Sequence, residues 1–245
     1  MIDTHCHLSY EDYDNLDDII YEMKKNNISA IVNGCEIKSN MEVLDLCKNN
    51  NNLYPAIGFH PEEVDNIDNN YIEYIEKNID KVVAIGEIGL DYHYTKENKD
   101  EQIKLFENQL KIAEKYNKPV IIHSRDAIND TYEILKKYNL KGSIHAFSGS
   151  LEMAKKFISL GFKLGIGGVL TFKNCNLKDI LKDISINDII LETDSPYMAP
   201  EPVRGKKNSP LNLKYIADFI SKVKNISYEE VINITSDNAK SLFDL

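Results

Sequence analysis

Met1-Ile2-Asp3-Thr4-His5-Cys6-His7-Leu8 opens the chain. Residues 1–4 read as a short buried strand that runs directly into two histidines one residue apart. An open, doubly wound α/β sheet normally follows its first strand with a glycine-rich phosphate loop. Histidines in that position favour a closed barrel instead. Seven further β-rich apolar runs follow, at 30–33, 53–58, 82–86, 120–123, 143–146, 162–165 and 189–193. Amphipathic stretches separate them; over 101–116, Ile103, Phe106, Leu110 and Ala113 recur at helical spacing. Ser227-Tyr228-Glu229-Glu230 sets a capping serine three residues before a glutamate and opens a last helix. No linker rich in Pro, Gly or Ser and no shift in composition divides the 245 residues. Eight βα units in that length predict an α/β fold, the (β/α)8 TIM barrel, as one domain over 1–245.

The composition is that of an ordinary globular chain, 42% hydrophobic and 28% charged. Its net charge of −10 excludes a protein that grips nucleic acid through overall positive charge, while leaving room for a local basic patch. Of the 29 basic residues only Arg125 and Arg204 are arginine. No apolar run approaches the roughly 20 residues that span a bilayer, and the N-terminus lacks the basic start and apolar stretch of a secretory signal. Four cysteines (Cys6, Cys35, Cys47 and Cys175) form no C-x-x-C pair and are too sparse for a disulfide framework. A reduced, cytoplasmic protein is expected, with neither a membrane nor an obligate protein partner. The run Asn49 to Asn52 reads as a solvated loop.

The six histidines cluster. His5 and His7 follow the first predicted strand, His60 the third, and His93 lies in the loop after the fourth; His123 and His145 end or lie within the fifth and sixth. In a barrel these strand ends converge on the face where active sites are built. Strand alternation puts His5 and His7 on one side, able to reach one ion, and turns Cys6 outward. Ile85-Gly86-Glu87-Ile88-Gly89-Leu90-Asp91-Tyr92 places the Glu87 carboxylate after an apolar run, where burial demands a metal ion or an internal salt bridge. In Leu191-Glu192-Thr193-Asp194-Ser195-Pro196, Glu192 and Asp194 share a face. Four histidines, a glutamate and an aspartate supply the mixed N/O set of a divalent transition metal, or of magnesium with many waters. Six donors exceed the needs of one catalytic ion, which keeps a position open for water. Two ions bridged by a carboxylate fit them better.

These segments also carry a resemblance. Together with Gly58-Phe59-His60-Pro61, Pro119-Val120-Ile121-Ile122-His123-Ser124-Arg125 and His145-Ala146-Phe147-Ser148-Gly149, they resemble the TatD family of metal-dependent deoxyribonucleases, in order and over essentially the whole chain. The resemblance implies a TIM barrel of the amidohydrolase, metal-dependent hydrolase type. It implies metal ligation by His5, His7, Glu87, His123, His145 and Asp194, with Glu87 bridging two divalent ions (Mg, Mn or Zn) and no modified lysine required.

Arg125 and Arg204 both belong to the histidine face, and a guanidinium fork grips phosphate bidentately where lysine cannot. They are expected to contact substrate phosphate, with a structural salt bridge as the alternative; Arg125 can instead brace the metal-site carboxylates. Lys206 and Lys207 either extend a basic lip or are simply solvated. His60 is assigned to substrate phosphate or the leaving group, and His93 has no role. Phe59, Tyr92, Tyr94 and Phe147 are either packing or platforms for bases. The expected reaction is two-metal hydrolysis of DNA phosphodiesters, with Asp194 taking the proton of the attacking water. An acidic chain with few cations suits short or single-stranded ends, hence an exonuclease acting from a 3′ end. The alternatives are an ester or amide hydrolase, such as a D-aminoacyl-tRNA deacylase, and a binding barrel without catalysis.

Overall fold

In the computed structural model, which describes residues 1–68 and 70–245, the eight runs form eight parallel strands paired in sequence order. They are β1 (Ile2–Cys6), β2 (Ser29–Asn33), β3 (Leu53–Ile57), β4 (Ala84–Asp91), β5 (Val120–Arg125), β6 (Gly142–Ile144), β7 (Phe162–Ile166) and β8 (Ile189–Leu191). The helices that return the chain are α1 (Leu16–Lys25), α2 (Ile37–Lys48), α3 (Tyr71–Asn78), α4 (Lys99–Tyr116), α5 (Ile128–Leu135), α6 (Leu151–Ser159), α7 (Leu177–Asp183) and α8 (Leu213–Lys224). A further helix, α9 (Tyr228–Phe243), begins at the predicted capping box, with Ser227 and Glu230 each accepting the other's backbone N–H. This is a TIM barrel.

The seam between β8 and β1 closes largely through side chains. Thr4 donates its hydroxyl to the Leu191 carbonyl at 2.9 Å, and the Asp194 N–H donates to the His5 carbonyl at 2.9 Å. The fully buried Asp3 carboxylate accepts the Thr193 N–H at 2.9 Å and the Thr193 hydroxyl at 2.5 Å.

Alternation along the strands separates two packing layers. Val120, Ile122, Leu164, Ile166, Ile189 and Leu191 join the large cluster under the helices. Ile31, Ala56, Ala84, Ile121 and Ile190 instead pack together with Ala239, Leu242 and Phe243 of α9. The last turn of α9 therefore plugs the barrel floor, and the polar layer above it belongs to the site.

Strand limits shift relative to the sequence expectation where the site begins. β1 ends two residues later, at Cys6, and contains His5; β4 runs on to Asp91, so Glu87 lies inside it; β6 stops one residue before His145. In β4, Ile85 and Ile88 both pack in the outer cluster, and the β4–β5 register shifts between them. That irregularity turns Glu87 inward. A Cβ on Gly86 would lie 2.6 Å from the Ile121 Cβ, and one on Gly89, at φ +153°, 1.9 Å from the His123 carbonyl oxygen, so both glycines permit the close pairing of β4 on β5.

Asp3→Ala leaves the buried Thr193 N–H without its acceptor and its hydroxyl with only Ser195 Oγ at 3.0 Å, and should lower stability by roughly 1–3 kcal/mol in urea unfolding. Burial outweighs those bonds and pushes the Asp3 carboxyl up to about 7. The folded chain thus holds a proton that the unfolded chain releases, and stability falls as pH rises from about 4 to about 7. Asp3→Asn should flatten that slope relative to the unsubstituted protein.

Candidate metal centre

The ends of β1, β5 and β6 bring four histidines around one carboxylate, Glu87 of β4. Glu87, 4% exposed, presents Oε2 to one pair of imidazoles and Oε1 to another. Around Oε2, the Nε2 atoms of His5 and His7 stand at 3.3 and 3.4 Å and 3.1 Å from each other. Asp194 adds Oδ1 at 3.7 and 3.8 Å from those nitrogens. Around Oε1, His123 Nδ1 lies at 2.8 Å and His145 Nε2 at 3.7 Å; His145 Nε2 is also 3.8 Å from Asp194 Oδ1. All six predicted ligands are thus gathered about Glu87 in overlapping donor groups, and His60, with Nε2 also 3.7 Å from Oε1, joins His123 in one of them.

The spacing and chemistry of these atoms fit metal ions. Donors about 2.0–2.1 Å from a tetrahedral ion stand about 3.3 Å from each other, the scale of the first group. The outer nitrogens decide which ring atom is bare. His7 Nδ1 is 3.0 Å from the Asn33 carbonyl, which only accepts, so His7 carries its proton on Nδ1 and offers Nε2 as a lone pair. His123 Nε2 is held by Asp91 Oδ2 at 2.8 Å, leaving Nδ1 to face Glu87. Glu192 Oε1 stands 3.0 Å from His145 Nδ1 and accepts the Ala146 N–H at 2.6 Å. Each of these three rings turns its near nitrogen toward the carboxylate, where a divalent cation, or a second ring proton in its place, offsets the charge.

Electrostatics follow burial and neighbours. Burial lowers the His5 imidazole well below its ordinary value, with His145 adding to the effect. For Glu87 burial acts upward, but the imidazoles of His5, His145 and His123 hold its carboxyl well below the usual range. His145 is pulled down by burial, yet Glu192, Asp194 and Glu87 raise it to about 10; burial lifts Asp194 to about 6. His60, beside His123 at 4.4 Å between ring centroids, is pushed down to about 4 by burial. Its Nδ1 accepts the Glu62 N–H at 3.3 Å, so the neutral ring keeps its proton on Nε2, 3.7 Å from Glu87 Oε1.

The other predicted contacts are placed unevenly. Arg125, the last residue of β5, sets its guanidinium 5.2 Å from the Tyr94 ring centroid, with Nη1 3.5 Å from the Tyr94 hydroxyl. Arg204 lies over Phe172 at 4.1 Å and 3.9 Å from Glu201 Oε1, exposed to solvent. His93 pairs with Asp126 at 3.0 Å on the surface. Of the four aromatic candidates, Phe59, Tyr92 and Phe147 are buried in the core and only Tyr94 is exposed. Lys207 bonds the Asp12 carbonyl and lies over the Tyr13 ring.

Sequence reading left Glu192 without a role and missed Asn33, Asp91 and Cys35, whose Sγ is 3.9 Å from both Glu87 Oε2 and His7 Nδ1. It also missed the amide side chains that hold the loops. Gln102 bonds the Asp91 N–H and carbonyl at 2.9 and 2.8 Å, and Gln109 bonds those of Phe59 at 2.8 and 3.0 Å. Their signal was present: both lie on the buried face of α4 with Phe106.

The sequence pattern of the family described as TatD related DNase matches residues 2–244. The chain belongs to the TatD family. It is 38% identical to the "uncharacterized metal-dependent hydrolase" YabD of Bacillus subtilis, over 99% of this chain and 98% of that one. With YcfH of Escherichia coli, which bears the same description, identity is 33% over 100% of this chain and 96% of the other. The crystal structure of YjjV, a TatD homologue from Escherichia coli, superposes with a TM-score of 0.91 at 29% identity, covering 100% of this chain and 98% of that one. Membership makes the chain a metal-dependent hydrolase of a DNase family, and its clustered donors suit divalent metals.

Elemental analysis after loading should find two divalent ions per chain, falling to one or none in Glu87→Ala. Asp91→Asn removes the acceptor that orients His123 and should weaken the second ion about 10- to 100-fold in chelator competition. Unchanged affinity would mean that His123 is oriented by something else.

Proposed function

We propose that the chain is a deoxyribonuclease that hydrolyses phosphodiesters at single-stranded or damaged 3′ ends, working in the cytoplasm on DNA as its partner. The observation that carries this reading is the Glu87 carboxylate divided between two donor groups, His5, His7 and Asp194 on one side and His123 and His145 on the other. Divalent ions held there supply Lewis acidity, generating a nucleophile from water near neutral pH and countering charge on the phosphate. The chain's own groups do the rest. Asp194, at the end of β8, accepts the proton of the attacking water. As the new P–O bond forms, the bond to the departing oxygen breaks. His60 directs Nε2–H at the phosphate or at that oxygen, and its low basicity keeps it a neutral donor. The site is walled by the barrel interior, so substrate enters only from the strand ends. No helix among the described residues is long and apolar enough to cross a membrane, and the four cysteines are free, as a reducing compartment requires.

A second reading, hydrolysis of a carboxylic ester such as a D-aminoacyl-tRNA, draws on one observation. Arg204 is engaged with Phe172 and Glu201.

End-labelled single- and double-stranded DNA, with metal-loaded protein, tests both. A ladder shortening from the 3′ end is expected, lost on chelation and restored by added metal. Asp194→Asn should reduce turnover at least 1,000-fold on the order of a lost oriented base while circular dichroism stays unchanged. Arg204→Ala should slow a phosphodiester substrate about tenfold or more and leave a phosphate-free ester unaffected. Retained turnover in metal-loaded Asp194→Asn would reject its role.

A further inference from the structure

Beside the metal centre stands an aromatic ring that neither the fold nor the donor set requires. Tyr197 follows Asp194-Ser195-Pro196 in the loop after β8 and is 60% exposed. Its ring centroid lies 6.3 Å from that of His7, at 64° between planes. Yet its backbone is clamped. The Tyr197 N–H donates to the Asp194 carbonyl at 2.8 Å, and the fully buried Asn208 donates one amide to the Tyr197 carbonyl at 2.7 Å and to the Thr193 carbonyl at 2.8 Å. The same amide thus ties Tyr197 to the strand end that delivers Asp194. A bulky ring exposed on a rigid backbone costs hydrophobic exposure and gains no packing, so it is explained by what lands on it.

Resting on the nuclease reading above, we propose that Tyr197 is the stacking platform for the base next to the scissile phosphate, and that it makes the substrate an unpaired end. Other exposed rings on this face are engaged: the Tyr10 hydroxyl bonds Asp17 at 2.8 Å, and Arg125 covers Tyr94. In a duplex both faces of each interior base are already stacked and a terminal pair frees only its outer face, so a base next to the scissile phosphate lies on the Tyr197 ring most readily at a frayed or unpaired end. Stacking is indifferent to base identity, which gives strand-state selectivity without sequence selectivity.

The test uses a single-stranded oligonucleotide with 2-aminopurine as its 3′-terminal base, bound to metal-loaded Asp194→Asn protein so that it is not consumed. Stacking quenches the fluorophore. Quenching is expected with Asp194→Asn alone and with added Tyr197→Phe, and is lost with added Tyr197→Ala. With Asp194 intact, Tyr197→Ala should raise KM for a single strand about ten- to a hundredfold, the effect of losing one base–aromatic stack. It should also erase the preference for a base-bearing over an abasic 3′ terminus. Quenching and preference that survive Tyr197→Ala overturn the proposal while the nuclease reading stands. A chain that cleaves no DNA strand overturns both.

Discussion

The structure turns on one buried carboxylate. Glu87 sits almost wholly out of solvent in the middle of β4, where an uncompensated charge would cost several kcal/mol, roughly, even after the surroundings relax. Every neighbouring choice serves to hold that charge. The strand irregularity between Ile85 and Ile88 aims it inward, and Gly86 and Gly89 let β4 lie close enough to β5 for His123 to reach it. Of the imidazoles that meet it, His7 and His123 have their far nitrogens held by Asn33 and Asp91, and His145 has Glu192 3.0 Å from its own. A salt bridge alone would need protons on the near nitrogens. Neighbouring acidic groups raise the basicity of His7, His123 and His145 and so favour those protons, and a divalent cation would take their place at the centre.

A second constraint comes from the ends of the strands. Where a strand leaves the ladder, its N–H and C=O groups remain buried and must find partners. The barrel supplies them with amide side chains. Asn40 pairs with Gly58, Gln109 with Phe59, Gln102 with Asp91, and Asn208 with Thr193 and Tyr197. Each amide is buried, and each clamps a segment that carries or adjoins a site residue. The loops at this face thus inherit the rigidity of the helices behind them, which a donor set converging to within a few tenths of an ångström requires.

Much of this was legible in the sequence because it depends on period. Alternation of two placed His5 with His7 and Glu192 with Asp194, and the recurrence of strand, histidine and helix gave the barrel and the face. What period does not encode was missed. Phe59, Tyr92 and Phe147 sit in the same loops as Tyr94, but whether a ring packs or protrudes depends on where neighbouring helices lie, and three of the four are core. Asp91 looked like one more polar residue after Glu87, because its partner, His123, is 32 positions away in sequence. Arg204 was read as a phosphate ligand or a salt-bridge partner; its stack on Phe172 went unread, since it joins two loops far apart in the chain.

The net charge of −10 takes on a different meaning with the site in place. Glu87, Asp91 and Glu192 lie buried beneath this face with Asp194 beside them, while Arg125 is exposed at the end of β5. Without bound ions, such a centre repels a polyanion. Two divalent ions would reverse the sign locally while the surface remains acidic, confining attraction to the length of strand that reaches the centre. A chain built this way has little hold on the flank of a duplex. On the nuclease reading proposed above, its grip on a strand would rest on the ions and on contacts with the last nucleotide, where an exposed ring on a clamped backbone matters more than a wide basic surface.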